Sequence, residues 1–235
     1  MGVCFLLTPP EGLIGVLTPE RLTNLRDIFT EEWMEPEEGV PANEQGLDED
    51  SKAVVALVDH LLQQGASALL EPPARHQGAM VDLLDELSNF FAWNEPGTGG
   101  ALVLATERKP EERDVQAAEA VIGSACPERT RQLWRYLVWG RAPGMEMGQG
   151  VGLQRQIASL GYWTGTEVKQ VRDDLREHLT GAPDYKPVRG LARFTSMLQR
   201  GLSLASRGNP AVALEAVTHA VDRAAREGSG LLFAR

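Results

Sequence analysis

The stretch that most limits what this chain can fold into is residues 209–235, NPAVALEAVTHAVDRAAREGSGLLFAR. Asn209 followed by Pro210 is a helix start: a side-chain acceptor for the first free amides, then a ring whose fixed φ suits the first helical position. Leu214, Val217 and Val221 recur at helical spacing, Gly228-Ser229-Gly230 stops the helix, and Leu231, Leu232 and Phe233 make a short apolar strand. Such a strand needs neighbours to pair with and layers to cover it. Two other apolar runs qualify: the opening MGVCFLLT, closed by Pro9-Pro10, and 101–106 (ALVLAT). The expected fold is α+β, a single, predominantly helical domain over residues 1–235, with the N-terminal and C-terminal strands paired beside 101–106 in a small sheet.

The intervening chain reads mostly as helix. Residues 12–17 (GLIGVL) form a second strand or a helix lead-in, and Thr18-Pro19-Glu20 is another cap-then-proline start with Leu22, Leu25, Ile28 and Phe29 as its stripe. Val54, Leu57, Val58 and Leu61 share one helical face in 51–64, capped from 48–51 and stopped by Gly65. Met80, Leu84, Leu87 and Phe91 repeat that pattern. Further helices are expected at about 110–123, 128–139, 166–180 and 188–206, with Val168, Val171, Leu175 and Leu179 the cleanest stripe. Between the first two helices, 31–50 holds nine acids and no base among prolines and glycines, and reads as a mobile acidic loop.

Bulk properties bound the function. With 43 % hydrophobic and 24 % charged residues the chain matches ordinary globular proteins, and its 235 residues suffice for a real core. Cys4 and Cys126 are far apart and outside any metal-ligand spacing, so neither a disulfide framework nor a metal is expected, and no cofactor motif appears. The apolar run at 3–7 is too short for a secretory leader and no run approaches bilayer length, so the expected location is cytoplasmic, without membrane contact. The net charge of −10 is lopsided: residues 1–100 carry 18 acids and 4 bases, whereas 184–235 carry 4 acids and 8 bases. Acidic surfaces repel phosphate, which excludes nucleic acid as a first choice of partner.

Motifs for chemistry are scarce. The glycine clusters at 97–100 and 148–152 lack the context of phosphate-binding loops, and neither GxSxG nor HExxH occurs. Glu215, His219 and Asp222 lie at helical spacing, but on the side opposite the apolar stripe, which makes them a solvent-exposed ladder with Asp222 facing Arg226. His178, one turn after Asp174, suits a helix C-terminus. His60 and His76 have no evident neighbours, and Cys126 has no identifiable base. The remaining concentration is aromatic: Trp134, Tyr136, Trp139, Tyr162 and Trp163 fall within 30 residues, with Arg141 among them. These rings either line a ligand pocket or partner patch, with Arg141 available for an anion, or pack as core.

Three stretches carry a resemblance: the opening MGVCFLL, the middle LGYWTGTEVKQVRDDL and the closing AVDRAAREGSGLLFAR. Together they resemble the YfbM-like group of uncharacterised bacterial proteins, over about a third of the chain. The resemblance implies an α+β fold and no known activity, so it carries no residue role over. The acidic N-terminal half, the missing catalytic motifs and the aromatic group favour a non-enzymatic protein-binding factor of immunity or regulatory type. The alternative is a metal-free enzyme or small-ligand-binding protein at the aromatic group, and self-association is a third reading.

Overall fold

The computed structural model describes residues 2–32, 47, 49–93, 102–141, 160–180 and 208–234. In chain order these form β1 (Cys4–Thr8), α1 (Leu13–Val16), α2 (Pro19–Glu32), α3 (Glu49–Gln64), two 3₁₀ turns (Ala66–Leu70 and Ala74–His76) and α4 (Gln77–Trp93). There follow α5 (Glu112–Ala125), α6 (Glu128–Trp139), β2 (Leu160–Trp163), α7 (Gly165–Thr180), α8 (Pro210–Glu227) and β3 (Gly230–Ala234). The fold is α+β and predominantly helical, as the periodicity predicts. The expected helix at 188–206 and the glycine clusters lie outside the described residues. Of the predicted acidic loop, 31–32 and 49–50 belong to α2 and α3, and the rest, save Leu47, is outside them too.

The C-terminal strand is the centre of the sheet. Its order is β1-β3-β2, antiparallel throughout, with Leu6 opposite Leu232 on one side and Tyr162 opposite Leu232 on the other. Alternation then sorts side chains between two faces. Leu6, Leu160, Tyr162, Leu232 and Ala234 join a core with α1–α4, while Phe5, Leu7, Trp163, Leu231 and Phe233 join a second core with α5–α8. Helices therefore cover both faces, and this double burial explains why the strands read as unbroken apolar runs.

The third strand is not 101–106. That segment touches β1 through a single bridge between Leu6 and Leu104, with Leu7 N–H donating to Val103 O at 2.8 Å and Ala105 N–H to Phe5 O at 2.7 Å. Among the described residues its ladder stops there: Arg223 Nη1 donates to Leu104 O at 2.8 Å, and Val103 is 56 % exposed. The third strand is β2, whose Gly161 looks like a turn residue. A Cβ there would sit under 3.0 Å from both Tyr136 O and the Phe233 ring, so only glycine lets α6 approach the sheet this closely.

The closing helix is built as its sequence specifies. Asn209 Oδ1 accepts from Ala211 N–H at 3.1 Å, Pro210 opens α8, and Gly228 ends it at φ 68°. Ala213, Ala216, Ala220 and Ala224 are fully buried, and this run of small side chains lets α8 lie close to α5 and α7. Among the described residues no helix is long and apolar enough to cross a membrane.

Candidate functional site

The aromatic group predicted as a site divides between core and sheet edge. Trp134 and Trp163 are buried, and each indole N–H is already committed: Trp134 Nε1 donates to Val115 O at 3.3 Å and Trp163 Nε1 to Leu133 O at 2.9 Å. Trp163 also meets the Phe233 ring edge-on at 5.1 Å, and Trp139 packs, partly buried, on the same core. These three tryptophans pack into the α5–α8 layer.

Tyr136, Arg141 and Tyr162 form the second part. α6 ends at Gly140, with φ 75°, which turns the chain so that Arg141 N–H donates to Leu160 O at 3.0 Å on β2. The Arg141 guanidinium lies between the Tyr136 and Tyr162 rings, 4.6 and 4.5 Å from their centroids. Tyr136 belongs to one core and Tyr162 to the other, so Arg141 ties the two layers together at the sheet edge.

Arg141 is not a free cation. Its Nη1 donates to Glu167 Oε2 at 2.8 Å, with side chains 13 % and 10 % exposed, and reaches Tyr162 O at 3.5 Å. Glu167 Oε2 also accepts from Thr164 N–H at 2.9 Å and Thr164 Oγ1 at 3.1 Å, while Glu167 N–H donates back to Thr164 Oγ1 at 3.4 Å. That reciprocal pair is the capping box of α7. The anion expected at Arg141 is thus the chain's own carboxylate. The Thr164–Glu167 spacing before the α7 stripe was the signal that could have announced it.

Electrostatics follow from this packing. Burial raises the phenols of both tyrosines above the ordinary range, Arg141 pulls them back, and Glu167 adds to the rise. For Arg141, burial lowers the guanidinium's pKa, but Tyr162 and Glu167 outweigh it and the charge is held firmly. Two atoms stay unsatisfied: Tyr136 Oη and Arg141 Nε are buried with no hydrogen-bond partner among the described residues.

Elsewhere the structure rearranges the predicted pairs. Asp222 meets Arg176 of α7 at 2.7 Å instead of Arg226, and Glu215 pairs with Arg108, so the α8 ladder is tied to neighbouring segments. Asp174 is buried away from His178 and accepts from Thr130 Oγ1 and from Gln170 Nε2. Cys126 is buried, and desolvation followed by the charge of Asp174 pushes its thiol up to about 11, which rules it out as a thiolate near neutrality. His60 and His76, without neighbours in the sequence, are neighbours in space, their ring centroids 5.5 Å apart.

The acidic half of the chain supplies the other surface. Asp50 on α3 and Asp82 and Asp85 on α4 are exposed and act on one another; partial burial first, then Asp50 and Asp85, hold the Asp82 carboxyl above its ordinary range. Comparison of the chain with known protein families, curated proteins and solved structures finds no match.

Proposed function

We propose that this protein is a non-enzymatic, cytoplasmic protein-binding factor of the immunity or regulatory type, and that its acidic layer, α2–α4, receives a basic partner. The supporting observation is the cluster of Asp50, Asp82 and Asp85, where partial burial first, and the two acidic neighbours after it, raise the Asp82 carboxyl. An approaching Lys or Arg relieves that repulsion, and surface charge of this kind steers association more than it sets affinity. The commitment of Trp134, Trp163 and Arg141 to internal partners points the same way, by removing the aromatic group as a ready-made anion pocket. The YfbM-like resemblance belongs to the same proposal, and adds a bacterial setting but no activity.

Capture from the native lysate at low salt tests this. The expected result is one stoichiometric partner that binds wild type, elutes as salt rises and is lost by Asp50→Asn/Asp82→Asn. No stoichiometric partner, or one that ignores the double substitution, overturns the reading.

One observation favours the alternative of a small-ligand binder or metal-free enzyme: the unsatisfied Tyr136 Oη and Arg141 Nε. A thermal-shift screen of metabolites decides it. A compound that stabilises wild type but not Tyr136→Phe supports that reading, and a screen in which nothing moves removes it.

A further inference from the structure

The connector between α3 and α4 brings His76 beside Arg75 and His60. His76, the last residue of the turn Ala74–His76, is 6 % exposed and immediately precedes α4. Its backbone N–H donates to Pro73 O at 2.8 Å, and its Nε2 accepts from Arg75 Nε at 3.1 Å. A nitrogen that accepts from a guanidinium carries its lone pair, so the ring is neutral with its proton on Nδ1. The His60 ring of α3 lies against it at 5.5 Å, tilted by 30°. Protonating His76 would aim an N–H at the Arg75 N–H and place a buried cation beside Arg75 and His60.

Among the described residues the charges that act on His76 are those of Arg75 and His60, and both disfavour its protonation. α3 and α4 pack against this turn. From α3 the titratable groups at this end are His60 and Asp59, and Asp59 is bonded to Arg26 at 2.6 Å. The first turn of α4 contains no acid, and Glu71, at the start of the connector, is exposed. We propose that His76, Arg75 and His60 form an acid-released latch, which holds the connector 71–76 against α3 at neutral pH and lets it open in acid. It stands independently of the partner reading above, although α3 and α4 carry the acidic face and opening their joint would loosen it.

The sign follows from burial first, then Arg75 and His60, which together lower the His76 pKa in the closed state. An opened state titrates near the ordinary value of about 6.5 and takes up its proton first. The latch is therefore at full strength above about pH 6.5, weakens as pH falls below it, and levels off once the closed ring protonates as well.

Histidine ring proton titration by NMR, together with amide exchange on the intact protein corrected for intrinsic rates, tests this. Expected are a His76 midpoint below about 6.5, and exchange over 71–80 that rises severalfold from neutral to mildly acidic pH while α5–α8 stay flat. His76→Gln keeps an acceptor for Arg75 but cannot titrate, and should abolish the rise. A midpoint at or above the ordinary value, or wild-type exchange independent of pH, overturns the latch, and so does a rise that survives in His76→Gln. Should His76→Gln fail to fold, the two wild-type measurements decide alone.

Discussion

At the residue scale the most consequential side chain is Arg141, which stands out in the sequence as a cation among aromatic rings. It read as an anion receptor because its partner, Glu167, is 26 residues away and only the fold brings them together. Removing one member of a buried pair leaves the other uncompensated. Arg141→Met should therefore lower stability by about 3 kcal/mol in denaturant melts. Glu167→Gln should cost less, since an amide oxygen still accepts from Thr164. The double variant should fall well short of the summed losses, and simple additivity would show that the two side chains do not act as a pair. Cys126 gives a second check. With its thiol held at about 11, alkylation in the native state at mildly alkaline pH should be far slower than in the unfolded chain, and equal rates would contradict its burial.

At the element scale the helices were legible because amphipathic stripes and caps are local signals: Thr18-Pro19, Asn209-Pro210, Gly65 and Gly228 all act where the sequence places them. Strand choice was not local. ALVLAT has the better strand composition, yet LGYW is the strand, because sheet membership is decided by what can cover each face. Gly161 is the price of that arrangement. Gly161→Ala would drive a methyl group into Tyr136 O and the Phe233 ring, and since the first is backbone, little can yield. A loss of about 2–3 kcal/mol is expected, with Trp163 fluorescence altered; a neutral substitution would mean that α6 does not press on β2 as described. The His60–His76 contact was illegible for a similar reason, since the two rings come from different elements that meet only when α3 and α4 fold against each other.

At the scale of the whole molecule, one antiparallel sheet divides two unlike helical layers. Chain order made this division foreseeable in part, because α2–α4 carry more acids than bases while α5–α8 carry the two in nearly equal number. Core packing was one of the readings the aromatic group allowed, and Trp134, Trp139 and Trp163 do pack into the second layer, so it is to the acidic layer that we assign function. Amide exchange measured with and without the captured partner tests this assignment most directly. Added protection is expected on α2–α4, around Asp50 and Asp82, with α6, β2 and α7 unchanged. Protection centred on Tyr136, Arg141 and Tyr162 would contradict it.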